Sequence, residues 1–179
     1  MSAIESPRPQ VMPAAGSSLS IIILAISAFL IVTTEFLIIG LLPALARDLG
    51  VSIAAAGQLV TLFAFTVMLF GPPLTAALAH LDRKKLFIAI LLVFAFANAL
   101  AALSSHIWIL AVARFIPALM LPVFWGTASE TAAQLAGPAK AGQAIARVYL
   151  GITAALLLGI PLGTLAANGI GWRGAFALL

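Results

Sequence analysis

The stretch LSIIILAISAFLIVTTEFLIIGLLPALA, residues 19–46, decides the fold of this chain, and Glu35 is its only charged residue. A helix needs about 20 predominantly apolar residues to cross the hydrocarbon core of a bilayer. Four more runs of this kind follow, and a further one begins near the end of the chain: 53–78, 86–103, 107–127, 144–167 and the start of a sixth from 172. Backbone polar groups in lipid must be satisfied within the protein, so the runs predict an all-α, polytopic transmembrane helical bundle.

The composition supports a membrane protein and excludes several other classes. Hydrophobic residues make up 64% of the chain and charged residues 8%, whereas soluble domains are about 25% charged. The chain has no cysteine, which excludes disulfides and thiolate metal sites. We predict no metal and no cofactor. The net charge of +4 is spread over separate loops, so no nucleic-acid partner is predicted. The sequence contains no protease, esterase or phosphate-loop motif, so we predict that the protein is not an enzyme.

The distribution of Lys and Arg predicts the orientation of the bundle. Residues 1–18 are rich in proline and serine, which indicates a disordered tail. If this tail is cytoplasmic, the inner segments carry six basic residues and the outer segments carry Arg47 and Arg173. Cytoplasmic loops are enriched in Lys and Arg, so we predict a multi-pass protein of the cell (inner) membrane with a cytoplasmic N-terminus. The six inner residues are Arg8, Arg83, Lys84, Lys85, Lys140 and Arg147.

Two opposite charges lie inside the apolar runs. Glu35 is in the first run and Arg114 is in the fourth. The first run leads outward and the fourth leads inward, so at 1.5 Å per residue both residues lie roughly 10–16 Å from the outer face. They are predicted to meet inside the bundle. The pair has two interpretations: a structural ion pair, or a proton-coupling site in which Arg114 competes with the proton for Glu35.

Helix-breaking residues recur in the second and fifth runs. The second contains Gly71-Pro72-Pro73 towards its inner end, and the fifth contains Gly151 and then Gly159, Pro161 and Gly163 towards its outer end. If runs one to three and four to six are inverted repeats, these breaks fall at counterpart positions. The arrangement predicts the 3+3 inverted repeats that form one half of a common secondary-transporter fold.

Four stretches make the chain resemble the major facilitator superfamily, and within it the twelve-span drug:proton antiporter branch of bacterial sugar and multidrug efflux permeases. They are residues 33–52, the loop 75–85, Arg114, and Gly151 with residues 159–163. The loop departs from the motif of the family, because Thr75, Ala79, His80 and Asp82 replace its glycine, aspartate, arginine and second glycine. Arg83 and Lys84 match, and Asp82 is a candidate substitute for the missing aspartate. Ala118 replaces a glycine expected four residues after Arg114.

The resemblance implies alternating access between two six-helix halves, of which this chain supplies the N-terminal half, cut within its sixth helix. The partners would be the lipid bilayer, a small-molecule substrate, protons and a C-terminal six-helix half. Gly71, Pro72, Pro73, Gly151, Gly159, Pro161 and Gly163 would gate the path, and Asp82, Arg83 and Lys84 would form the cytoplasmic loop. Thr33, Thr34, Phe124 and Trp125 are weaker candidates for substrate contacts, since such aromatic residues more often pack helices.

The predicted function is therefore secondary active transport, in the form of proton-coupled efflux of drugs or small metabolites. A uniporter or an uptake symporter of the same fold is one alternative. A truncated, non-transporting membrane fragment or a half-size subunit is another, because the sequence stops at Leu179, early in the sixth run.

Overall fold

The computed structural model describes residues 15–179, and its architecture confirms the predicted all-α membrane bundle. Within those residues there is no strand, and five passages are long enough and apolar enough to cross a membrane. The first four are single helices, whereas the fifth comprises two helices joined by a π-helical turn. The helices are α1 (Ala15–Leu49), α2 (Ile53–Leu78), α3 (Arg83–Ala102), α4 (Ile107–Ala136), α5 (Ala141–Ala154) and α6 (Ile160–Ala177).

Helices α1 and α4 extend furthest beyond the apolar runs that predicted them. Helix α1 begins at Ala15, so residues 15–18 of the proposed tail are helical, and residues 1–14 lie outside the described part. Helix α4 continues past Thr127 and ends at Ala136. Gly137 follows as the C-cap, and its φ of 75° suits glycine. The added turns, ASETAAQLA, are rich in alanine and therefore stay helical although they are less apolar.

The tight connections between passages rest on local caps. The Ser52 side chain accepts a hydrogen bond from the backbone N–H of Ala55 at 3.0 Å and so caps the N-terminus of α2. The Asp82 carboxylate does the same for α3 by accepting from the backbone N–H of Lys85 at 2.9 Å. Each cap satisfies a backbone donor that the first turn of a helix leaves free. These short loops hold consecutive passages antiparallel.

The fifth passage departs from regular α-helix at the predicted glycine-rich segment. A π-helical turn spans Ala155–Gly159 and is closed by a hydrogen bond from the backbone N–H of Ile160 to the carbonyl of Ala155. Further on, Gly171 leaves the helical conformation at φ 77° and ψ 163°, and the chain changes direction before Trp172. By contrast, α2 stays helical through Gly71-Pro72-Pro73.

Glycines allow the fifth passage to lie directly against α1. A Cβ on Gly151 would collide with the carbonyl oxygen of Ala25 and would lie 2.9 Å from the Cβ of Ala28. A Cβ on Gly159 would collide with the Thr33 hydroxyl, and one on Gly163 would lie 2.7 Å from Leu37. Small residues at such crossings are how membrane helices gain van der Waals contact, since lipid provides little hydrophobic drive for helix association.

The contact between α2 and α4 repeats this packing in the inverted sense. A Cβ on Gly71 would lie 2.8 Å from Pro122, and four positions later Thr75 packs against Gly126. In the fifth passage Gly159 packs against Thr33, and four positions later Gly163 packs against Leu37. The second passage thus packs on the fourth in the same way as the fifth packs on the first. This is the contact pattern that two inverted three-helix repeats produce.

Replacing Gly151 by alanine is expected to lower the unfolding free energy by about 1–3 kcal/mol, because the new methyl group overpacks a backbone contact. Gly57→Ala is the matched control, since nothing lies within 4 Å of a Cβ there. The control should be neutral or slightly stabilising, because alanine is the better helix former. Thermal unfolding of both variants in detergent measures the difference, and equal melting temperatures would contradict the close packing.

Candidate functional site

The centre of the bundle is organised by Arg114 of α4, which is 3% exposed. Its Nη1 donates to the backbone carbonyl of Thr34 at 3.0 Å, and its Nη2 donates to the backbone carbonyl of Glu35 at 2.8 Å. The guanidinium fork thus grips two consecutive peptide groups of α1. A charge in mid-membrane is costly unless it is paired or hydrogen-bonded, and these carbonyls supply part of that compensation.

Two further side chains complete the surroundings of Arg114. The ring of Phe63 on α2 lies 4.4 Å from the guanidinium carbon, within the range of a cation–π contact. Asn98 of α3 donates from Nδ2 to the Thr34 hydroxyl at 3.2 Å, which fixes the same turn of α1 from another side. Four passages therefore converge at one level. The Nε of Arg114 is buried without a hydrogen-bond partner among the described residues.

Glu35 and Arg114 do meet, but not as the expected ion pair between side chains. Arg114 holds the main chain at Glu35, and the two described salt bridges join other residues. The charges of Glu35 and Arg114 still interact through space. Within residues 15–179 the Glu35 carboxylate has no hydrogen-bond partner, and its side chain is half-buried. The carboxylate therefore lies near a fixed positive charge but is not hydrogen-bonded to it.

The two threonines predicted as substrate contacts face the interior of the bundle. Thr33 is 2% exposed and Thr34 is 4% exposed. The Thr34 hydroxyl accepts from Asn98, whereas the Thr33 hydroxyl is buried against Gly159 without a described hydrogen-bond partner. In this conformation both threonines join passages to one another.

The aromatic candidates form a stack that crosses the bundle. Phe124 is fully buried, with its ring centroid 6.0 Å from that of Phe87 and 5.2 Å from that of Trp125. Trp125 is half-buried and lies 5.2 Å from Tyr149 of α5. Phe124 is therefore a packing residue and not an open cavity wall in this structure. Trp125 and Tyr149 are the members of the stack nearest to a surface.

The loop between α2 and α3 makes its charge contact through Arg83. Its Nη2 lies 2.6 Å from the Glu130 carboxylate, and its Nη1 donates to the Thr131 hydroxyl at 3.3 Å. Asp82, the candidate substitute for the missing aspartate of the motif, caps α3 instead. Glu130 lies three residues beyond the fourth apolar run, 107–127. The extension of α4 to Ala136 puts it on the helix, within reach of the loop.

A second polar cluster at the opposite end of the bundle was not anticipated. Trp172 donates from Nε1 to Asp48 at 2.9 Å, and Arg173 lies 3.7 Å from the same carboxylate oxygen. The guanidinium of Arg173 donates twice to the backbone carbonyl of Ser104 and stacks on Trp172 at 4.2 Å. The cluster joins the ends of α1 and α3 to the segment that follows Gly171. For the central contacts the sequence offers a signal, namely a lone polar residue such as Asn98 in an apolar run. The residues of this second cluster give no comparable local signal.

Comparison with known proteins agrees with this architecture. The family model described as Major Facilitator Superfamily matches residues 24–179, well over half of the chain. The chain belongs to this superfamily. The helical bundle described above, with its glycine-mediated contacts and its central arginine, is therefore that of a superfamily member.

Curated relatives of this superfamily member are named as transporters or resistance proteins. The chain is 45% identical over 163 residues to the uncharacterized MFS-type transporter YbcL of Bacillus subtilis (strain 168). It is 31% identical over 159 residues to a probable sugar efflux transporter of Pasteurella multocida (strain Pm70) and 38% identical over 159 residues to a chloramphenicol resistance protein of Streptomyces lividans. The matches cover 89%, 89% and 88% of this chain but 42%, 39% and 40% of the relatives. The chain thus spans about two fifths of their length.

Arg114→Lys is expected to destabilise the bundle, because a lysine ammonium cannot reproduce the planar fork that holds two carbonyls. Losing one hydrogen bond from a charged group costs about 1.5–3 kcal/mol. Arg47→Lys is the matched control: Arg47 is exposed and its side chain has no described partner. Melting temperatures in detergent compare the two variants, and a fall of the same size in both would contradict the role of the fork.

Proposed function

We propose that this chain forms the N-terminal half of a proton-coupled efflux transporter for drugs or small metabolites. The observation that carries the proposal is the central site, where Arg114 is bound to the backbone of α1 while the neighbouring Glu35 carboxylate has no hydrogen-bond partner within residues 15–179. Ionisable groups inside membrane bundles mark ion and proton pathways. The relatives named for sugar efflux and chloramphenicol resistance favour export.

The proposed role of Glu35 is to carry the proton. When Glu35 is charged, attraction to Arg114 draws α1 and α4 together in addition to the hydrogen bonds to the backbone. Protonation removes that attraction but leaves those hydrogen bonds in place. The equilibrium between two arrangements of α1 and α4 then depends on the proton, and the membrane potential contributes about 2.3 kcal/mol per charge for each 100 mV.

Movement of the fifth passage against α1 is the proposed mechanical step. The π-helical turn at Ala155–Gly159 interrupts the regular ladder beside Thr33, close to the residues that Arg114 holds. A π-helical turn places a local irregularity where a helix can bend, and such turns are frequent at functional sites. Gly151 and Gly163 let α1 and the fifth passage slide with little steric resistance.

The setting that we propose is the cell membrane, with the N-terminus on the cytoplasmic side, as the distribution of Lys and Arg favours. A second six-helix half would face the first and complete the path, since the relatives are more than twice as long as the matched region. Trp125 and Tyr149 are the proposed aromatic contacts for an apolar substrate, because both are accessible at the end of the aromatic stack.

Glu35→Gln in the complete protein is expected to abolish efflux driven by a proton gradient, because glutamine cannot exchange a proton. Everted membrane vesicles, acidified inside and given a panel of drugs that includes chloramphenicol on the outside, provide the assay, since proton exit is then exchanged for drug uptake. Glu130→Gln is the control, since that carboxylate lies at the end of the bundle and is paired with Arg83. If Glu35→Gln vesicles kept the pH-dependent flux of the control, Glu35 would not be the proton carrier.

A membrane blot probed at the N-terminus tests the proposed second half. The natural protein should migrate at about twice the 18.5 kDa of this chain. A single band near 18.5 kDa would instead favour the half-size subunit or the non-transporting fragment.

A further inference from the structure

Two adjoining cavities follow the boundary between α1 and the fifth passage, at the end of the bundle where α1 begins. The larger, about 450 Å³, is lined almost entirely by apolar side chains, including Ile22, Ile26, Phe29 and Leu150. The smaller, about 190 Å³, has a mixed lining that includes the polar side chains of Lys140, Gln143 and Arg147. Ser18, Ile21 and Arg147 line both cavities, so the two form one continuous groove with a polar end and an apolar end.

The polar end of the groove carries uncompensated positive charge. Lys140 and Arg147 are both exposed, and neither has an ion-pair or hydrogen-bond partner for its side chain within residues 15–179. No acidic residue of the described chain lines either cavity. The situation differs at the loop between α2 and α3, where Arg83 is neutralised by Glu130. Among residues 15–179, no acid therefore pairs with the two cations of the groove.

The apolar end is a recess in the membrane-spanning surface. Exposed Ile22, Ile26 and Leu150 form its rim, and Gly151 and Ala154 leave room at its floor because they lack bulky side chains. Its volume is that of an elongated apolar group and not of a single water or ion. Apolar surface at this depth contacts hydrocarbon, and a chain that follows the recess makes more van der Waals contact than one on a smooth helix face.

We propose that this groove binds one anionic phospholipid. The phosphate lies between Lys140 and Arg147 in the polar cavity, and one acyl chain extends along the recess between α1 and α5. A basic pocket between membrane helices at the headgroup level suits an anionic lipid, because the cations meet the phosphate while the helices meet the tail. The groove shares no lining residue with the site around Arg114 and Glu35.

The lipid site is tested by native mass spectrometry of the purified full chain in detergent, with phosphatidylglycerol or phosphatidylcholine added at equal concentration. Phosphatidylglycerol should be retained and phosphatidylcholine should not. Each cation near the surface is expected to change the binding constant by about five-fold, so Lys140→Ala with Arg147→Ala should weaken retention by about 30-fold. These residues are exposed, and unchanged melting temperatures will show that the variant is folded.

Three controls separate this site from general attraction of charge. Lys84→Ala with Lys85→Ala removes the same charge from the same end of the bundle and should leave retention unchanged. Ala154→Phe fills the recess but keeps both cations, and it should also weaken retention. Glycerol 3-phosphate, which has the headgroup chemistry without a tail, should not displace the lipid at equal concentration. The proposal is overturned if the two double variants weaken retention equally, or if Ala154→Phe has no effect while folded. It is also overturned if glycerol 3-phosphate or phosphatidylcholine competes equally.

Discussion

A guanidinium group in the middle of a membrane bundle must find acceptors, and the bundle is arranged around the acceptors that Arg114 finds. Carbonyls within an α-helix are normally occupied by the ladder, but each oxygen has a second lone pair that can accept another hydrogen bond. Arg114 uses this capacity at Thr34 and Glu35 of α1. Because the contact is with main chain, it depends on the position of α1 and not on the charge of one side chain. Phe63 from α2 and Asn98 from α3 then fix the same level of the bundle.

This arrangement assigns to different groups two roles of the proposed mechanism, the anchoring of α1 and the carrying of a proton. A direct ion pair would make Glu35 both the structural anchor and the proton carrier, so that protonation would loosen the bundle. In the structure the anchor is the peptide backbone, and the Glu35 carboxylate is left to respond to its surroundings. Residues close to the anchor, such as Thr33 and Thr34, are consequently buried and serve packing in this conformation.

The extent to which the fold could be predicted follows from how local each signal is. The passages are visible in the sequence because a run of apolar residues is sufficient to specify a membrane helix, and the cap at Ser52 is readable beside the start of α2. The end of α4 lies nine residues beyond the apolar run, because residues 128–136 stay helical although they are less apolar. The contacts of Arg114 with carbonyls could not be predicted, since every residue offers a carbonyl and the choice depends on how four helices pack. The same holds for Arg173 and the carbonyl of Ser104. The charge inside an apolar run located Arg114, and the helix-breaking pattern located the glycine-rich fifth passage, but neither gave the geometry.

The π-helical turn also has a consequence for helix register. In a regular α-helix, Gly151 and Gly159 would point about 80° apart around the axis, since each residue advances about 100°. A π-helical turn accommodates one extra residue, and this reduces the offset to about 20°. Gly151, Gly159 and Gly163 can therefore all face α1 along one line. The turn therefore corrects the helical register. With one extra residue between Gly151 and Gly159, the three glycines still lie on the side of the passage that contacts α1.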